Sequence, residues 1–271
     1  MPDPAFLATA VDIVLRAGEI QLARQESGFT ISKKGAIDLV TEVDLECERM
    51  CREVIAERFP GHDVLAEELG SVPTRRAPSR SRWIFDPIDG TTNYAHGLPI
   101  FCASLGLEID GRPEVGAVYD PSRRELFTAE RGGGAFLNGK PLAVSATAAV
   151  SEALLVTGFP YDVHDKTAPL LELFALFLGR ARAVRRLGSA ALDLCYVAAG
   201  RFDAFWEQYL KPWDVAAGAL IVEEAGGCVT GMDGSPFAPA AAHLVASNGH
   251  IHEEMTRLIA ELRDRRAPDR T

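Results

Sequence analysis

Trp83–Ile84–Phe85–Asp86–Pro87–Ile88–Asp89–Gly90–Thr91–Thr92–Asn93–Tyr94 is the stretch that decides how this 271-residue chain is read. Trp83, Ile84 and Phe85 form an apolar run that reads as the buried end of a strand. Two carboxylates follow, separated by Pro87 and Ile88. Pro87 fixes its own φ and pushes Asp86 towards an extended backbone, so the local geometry is stiff. Gly90–Thr91–Thr92–Asn93 is then a turn and a helix start. A strand that ends in paired aspartates and runs into a helix N-terminus binds charge of both signs. Carboxylates are hard oxygen ligands for Mg²⁺. Free backbone N–H groups and the helix dipole favour phosphate. An Asp-Gly turn alone is commonplace; two acids, a rigid spacer and two hydroxyls are more than a turn requires. Metal-assisted hydrolysis of a phosphate ester is the chemistry this combination points to.

Acids recur in the same style elsewhere. Asp63–Val64–Leu65 reads as a short strand leading to Ala66–Glu67–Glu68–Leu69–Gly70. Adjacent glutamates there read as a solvated loop or as ligands of a cation. In Trp213–Asp214–Val215–Ala216–Ala217–Gly218, Asp214 stands where an N-cap belongs, ahead of a small-residue helix running to Glu224. In Thr41–Glu42–Val43–Asp44, either Thr41 or Asp44 caps the helix that follows.

The remaining chain reads as mixed α and β. Residues 4–26 form an amphipathic helix. Residues 100–145 form a meander in which Asp110–Gly111 joins Leu105–Ile109 to Val115–Tyr119 as a hairpin. From about residue 150 strands and helices alternate: strands at 154–156, 184–187, 202–206 and 243–246, and helices at 166–179, 189–199 and 214–225. Gly134–Lys140 imitates a P-loop, but Pro141 stands where Ser or Thr is needed, so it reads as a hairpin turn. His96 reads as a loop residue.

Composition sets outer limits. A formal net charge of −10 argues against direct binding of nucleic acid; the basic clusters Arg75–Arg76 and Arg263–Arg266 are short and mixed with acids or proline. No apolar run approaches the roughly 20 residues that cross a bilayer, and Asp3 and Asp12 stand where a signal peptide would be basic. Five scattered cysteines, without a CxxC pair, fit reduced thiols and a cytoplasmic enzyme.

Taken together, the stretches at 37–44, 66–68, 83–94 and 213–227 resemble the inositol monophosphatase family of Mg²⁺-dependent, lithium-sensitive phosphatases, from the first helix to the last. The resemblance implies a layered αβαβα sandwich in two packed halves. Residues 1–148 would be the metal and phosphate half, and residues 149–271 the substrate half. It implies that Glu67, Asp86 and the Ile88 carbonyl hold one Mg²⁺, that Asp86, Asp89 and Asp214 hold a second, and that Glu67 with Glu68 reaches a third. Thr91, oriented by Asp44, would activate the attacking water with Glu67. Backbone N–H groups of Gly90 and Thr91 would cradle the phosphate. Glu207 and Gly188–Ser189–Ala190 would contact the substrate's ring. The implied reaction is hydrolysis of myo-inositol 1-phosphate. Arg185 and Arg186 keep open a second phosphate, as in fructose 1,6-bisphosphate or adenosine 3′,5′-bisphosphate; histidinol phosphate is a further alternative, and a non-catalytic scaffold is the alternative of another class. The resemblance also implies a homodimer, and the small residues from Gly188 to Ala191 would let a second subunit approach closely.

Overall fold

The computed structural model describes residues 3–33, 39–72, 79–160, 163–240 and 242–265. Ile37, Asp38, Arg75, Arg76 and Arg266 lie outside the described residues. The first half runs α1 (Pro4–Ser27), β1 (Ile31–Lys33), β2 (Leu39–Thr41), α2 (Glu42–Arg58), β3 (Asp63–Ala66), β4 (Gly70–Val72), β5 (Ser81–Asp89), α3 (Thr91–Ala95), β6 (Cys102–Ile109), β7 (Arg112–Asp120), β8 (Glu125–Glu130), β9 (Gly134–Leu137) and β10 (Lys140–Pro141). The second runs β11 (Leu154–Thr157), α4 (Val163–Leu178), β12 (Ala183–Arg185), α5 (Ala190–Ala198), β13 (Ala204–Gln208), α6 (Pro212–Glu224), β14 (Cys228–Thr230), β15 (His243–Ser247) and α7 (His252–Asp264).

Two sheets carry the molecule. The larger has the order β10-β9-β8-β7-β6-β5-β3-β4, the smaller β12-β11-β13-β15-β14, and β1 pairs with β2 as a separate ribbon. In the larger sheet, among the described residues, only β3 and β5 run parallel. Helices α1 and α2 cover its outer face around Ile13, Cys47, Trp83 and Leu105. Helices α5 and α6 lie between the sheets, packed on each other and on both. Helices α4 and α7 cover the far face of the smaller sheet around Phe177, Trp206 and Met255. The order of layers is therefore α, β, α, β, α, as the resemblance implied. The 100–145 meander is β6 to β10. Asp110 and Gly111 both have positive φ, 51° and 80°, and so do Asn138 and Gly139, 49° and 76°, the pattern of tight hairpin turns. The P-loop imitation is thus the β9–β10 hairpin.

Several boundaries differ from the sequence reading. β12 stops at Arg185 because Arg186–Ser189 turns into α5. β13 lies two residues later than expected, which puts Glu207 within the strand. β14, only three residues long, carried no recognisable pattern. Helix α6 begins at Pro212, with Lys211 as N-cap and Asp214 as its third residue, reaching back to the Lys211 N–H at 2.7 Å. The same geometry resolves Thr41 and Asp44. Thr41 is the N-cap, Asp44 is the third residue, and the two form a complete capping box.

The middle layer depends on missing side chains. A Cβ on Gly116 of β7 would lie 2.8 Å from the Ala217 carbonyl oxygen, and one on Gly106 of β6 would lie 3.0 Å from the Ala216 Cβ. A Cβ on Gly218 would meet Leu194 of α5 at 2.7 Å. The small residues after Trp213 therefore let α6 rest directly on the larger sheet and against α5. The small residues of α5 serve the same purpose, and every residue from Ala190 to Ala198 is buried. This corrects the expectation that Gly188 to Ala191 receives a second subunit: their neighbours belong to the same chain. Gly116→Ala should destabilise the fold by about 1–3 kcal/mol through overpacking, read as a lowered midpoint of urea unfolding. An unchanged midpoint would mean that α6 has room to retreat.

Candidate active site

The carboxyl ends of β3 and β5 set the first two acids side by side. Their parallel register pairs Ala66 with Phe85, so Glu67 follows beside Asp86. Pro87 has no N–H for the ladder, and the β5–β6 register shifts between Asp86 and Asp89. The irregular segment is held from within and without. Asp86 Oδ1 accepts the Ile88 N–H at 3.0 Å, and the buried Gln21 amide of α1 donates to the Pro87 carbonyl at 2.7 Å. Gly90 then turns the chain with φ 97°, and a Cβ there would meet the Ile100 carbonyl oxygen at 2.8 Å. Asn93 of α3 donates to the carbonyls of Ile100 and Leu187, at 2.8 and 2.9 Å, and so ties the first half to the turn before α5.

Asp89 reaches across the molecule. Its carboxylate accepts the Ser189 hydroxyl at 2.7 Å, the Ala191 N–H at 2.6 Å and the Ala190 N–H at 3.3 Å. The backbone that the sequence offered to a substrate ring is thus engaged by Asp89, while Gly188, Ser189 and Ala190 also line the cleft. Asp214 enters from the first turn of α6. Glu207 enters from β13, so close to Gly158 that a Cβ there would lie 2.1 Å from its Oε2. Together with Gly90 and Thr91, these groups line one cleft of about 520 Å³. Lys166, Arg186 and Lys211 line it too. Arg185 does not, and its guanidinium donates to the Val184 carbonyl instead.

Two expected pairings are drawn differently. The Thr91 hydroxyl donates to the Ile88 carbonyl at 2.9 Å, whereas Asp44 accepts the hydroxyl and N–H of Thr41, each at 2.7 Å. Glu68 is not among the residues lining the cleft. Its N–H and that of Leu69 donate to the fully buried carboxylate of Glu48, which Arg52 pairs at 2.6 Å. Glu48 thereby fixes the turn that carries Glu67. On the sequence it is one more glutamate with an arginine four residues on, and nothing local marks its task. Asp193 was also missed. It is buried in α5, and neither carboxylate oxygen has a hydrogen-bond partner among the described residues. An acid in the apolar run Ala190–Ala199 was the available signal. Tyr209 has a left-handed backbone, φ 67°, a conformation that costs a residue with a Cβ about 1–2 kcal/mol.

Electrostatics dominate the cleft. Burial raises the affinity of Asp86 for a proton, and the charges of Glu67, Asp89, Asp214 and Asp44 raise it further. Burial likewise raises that of Asp89, against the four hydrogen bonds that favour its charge. Asp214 is pushed up to about 7 by burial and by the Asp89 charge. Glu207 and Asp193 are raised by burial and by neighbouring acids, with Arg186 opposing. Among the described residues no lysine or arginine side chain hydrogen-bonds Asp86, Asp89 or Asp214. Nor do any three His, Cys, Asp or Glu side chains surround one point as they are oriented, because Asp89 is turned to α5 and Asp214 to the Lys211 N–H. By donor chemistry and charge the set suits Mg²⁺: every donor is oxygen, the acids crowd one cleft, and Asp86 and Asp214 each keep one oxygen without a hydrogen bond among the described residues.

The chain is similar to known proteins over nearly its whole length. The profile described as "Inositol monophosphatase family" matches residues 4–266. An "Inositol-1-monophosphatase" of Synechocystis is 44% identical over 256 residues, covering 94% of this chain and 88% of that protein. "Nus factor SuhB" of Escherichia coli is 39% identical, covering 96% of each chain. The solved structure of an inositol monophosphatase from Anabaena is 41% identical with a TM-score of 0.86, covering 95% of this chain and 96% of that one.

Crowded acids have a measurable consequence without any metal. An acid whose pKa is raised on folding stabilises the fold at low pH, and that stability is lost as pH rises through the folded value. For Asp214 the window runs from the ordinary carboxylate range to about 7. In chelator, the wild-type melting temperature should therefore fall between pH 5 and pH 8 (roughly that window). Asp214→Asn, which has no proton to lose, should fall less and be the more stable protein at pH 8. Equal slopes for the two would count against the buried acid at 214.

Proposed function

This chain belongs to the inositol monophosphatase family, and on that premise we propose that it hydrolyses a cyclic polyol phosphate, myo-inositol 1-phosphate, by direct attack of water. The observation that carries the reading is the meeting of Glu67, Asp86, Asp89 and Asp214 in one cleft beside the Gly90–Thr91 turn. Asp86, Asp89, Asp214, Glu67 and the Ile88 carbonyl are the groups that would hold Mg²⁺, two ions by the family's pattern, with Glu68 at most an indirect contributor to a third. Once bound, Mg²⁺ supplies a Lewis acid that acidifies water and stabilises charge on phosphoryl and leaving oxygens.

The chain's own groups do the rest. Backbone N–H groups at Gly90 and Thr91 face an anionic phosphoryl group at the start of α3. Because the Thr91 hydroxyl gives its proton to the Ile88 carbonyl, its lone pairs are left to accept from a water, with Glu67 as the second acceptor. Asp44 acts through charge, since its carboxylate is engaged with Thr41. Glu207 accepts hydroxyls of the leaving alcohol, and Ser189, Ala190 and Ala191 hold Asp89 in place. Attack by a side chain is disfavoured. The thiol that touches the acids, Cys102, is fully buried, and burial holds it well above the ordinary thiol range. The five free thiols suit a cytoplasmic enzyme.

Phosphate release from a panel of esters tests the assignment. Activity on myo-inositol 1-phosphate should need Mg²⁺, vanish with EDTA and be inhibited by Li⁺. Full turnover in chelator would overturn it. Fructose 1,6-bisphosphate and adenosine 3′,5′-bisphosphate belong on the same panel, because Lys166, Arg186 and Lys211 line the cleft. Asp89→Asn should lose turnover on every ester by about a hundredfold or more. Glu207→Gln should impair the inositol ester while an aryl phosphate changes little; equal loss on both would remove Glu207 from substrate selection.

We further propose a homodimer of this 29.3 kDa chain, with the interface away from α5. Sedimentation at micromolar concentration should give twice the chain mass, and a single species at the chain mass would exclude it.

A further inference from the structure

Tyr209 follows Glu207 by two residues and precedes Asp214 by five, and it lines the cleft between them. None of the roles assigned above uses it, yet three features converge on it. Its backbone is left-handed, with φ 67°. It is also the extra residue of a bulge. Gln208 pairs with His243 in register, but the next N–H to reach the partner strand is that of Leu210, on the Ala242 carbonyl at 2.9 Å. The Tyr209 N–H turns instead to a side chain and donates to His243 Nδ1 at 3.2 Å. Burial, and then the charges of Arg263 and Lys166, hold His243 below the ordinary histidine range, so the imidazole is neutral, with its proton on Nε2.

The ring is held as firmly as the backbone. It meets His243 edge-on, with centroids 5.0 Å apart and planes at 84°. The Lys166 ammonium of α4 stands 3.8 Å from its centroid. A glycine would adopt this backbone without strain and would leave the cleft wider. A strand end needs no aromatic residue in a left-handed bulge, and strain concentrated on a cleft wall points to function.

We propose that Tyr209 is a specificity-determining residue for the alcohol side of the ester: its ring forms the wall against which a cyclic polyol packs its C–H face while its hydroxyls reach Glu207. His243 is the positioning residue that holds Tyr209 in the bulge. The assignment rests on the reading of the cleft as a phosphomonoester site. An open-chain alcohol has no rigid C–H face to offer and gains little from the ring.

Tyr209→Gly separates the ring from the backbone, because glycine keeps the left-handed turn. The variant, Tyr209→Phe and the wild type are compared on myo-inositol 1-phosphate and on glycerol 2-phosphate with Mg²⁺, alongside melting curves. Tyr209→Gly should melt no lower than the wild type. Its KM for the inositol ester should rise about tenfold with kcat within about twofold, while the glycerol ester changes by less than about twofold. Tyr209→Phe should retain the wild-type preference. His243→Leu should raise the inositol KM when Tyr209 is present and add little in the Tyr209→Gly background. A Tyr209→Gly protein that treats both esters as the wild type does, or loses both in the same proportion, overturns the assignment. Wild-type protein that releases phosphate from no ester defeats the proposed function itself, and is seen before any variant is compared.

Discussion

Crowding of buried acids in one cleft is the constraint from which the rest of the structure follows. A carboxylate removed from water must find donors, a cation or a proton. The fold supplies donors where it can, and each supply comes from a different layer. Helix α5 gives its first N–H groups to Asp89. The N-cap of α6 gives one to Asp214. The strand itself gives one to Asp86. What these bonds leave unbalanced is negative charge on one side of a cleft, the charge that a divalent cation would offset.

Holding such groups together requires stiffness beneath them. Pro87 and the Gln21 amide fix the irregular end of β5. Glu48 and Arg52 fix the turn after β3. Gly106 and Gly116 let α6 approach to backbone contact, so Asp214 is carried on a helix that cannot slide. The acids repel, and the frame around them is built from close contacts.

What could be read in the sequence was what is local. The pair Asp86 and Asp89, with Pro87 between and Gly90 after, announces itself within a dozen residues. Glu67 is legible because an apolar strand precedes it. Small residues after Trp213 promise a tightly packed helix. What depends on distant partners was not legible. Ser189 was legible only as a contact of the substrate's ring because Asp89, its partner, lies 100 residues away. The N-cap was expected at Asp214, three positions beyond its place at Lys211, because the third residue of a helix can satisfy the N-cap N–H as well as the cap itself can receive one. Glu48, Asp193 and Tyr209 take their meaning from neighbours on other elements, and Tyr209 from a backbone angle that no side chain reveals.

The bond from Asp89 to Ser189 also bears on how the protein is made. A ribosome adds roughly 5–20 residues per second, so the 100 residues between them take about 5–20 s to appear. Throughout that interval the nascent chain carries Glu67, Asp86 and Asp89 but neither the helix end that holds Asp89 nor Asp214. On the site proposed above, a chain that ends before Asp214 would lack one of the groups that hold the metal, and the cleft would be assembled only after the last third of the polypeptide had docked.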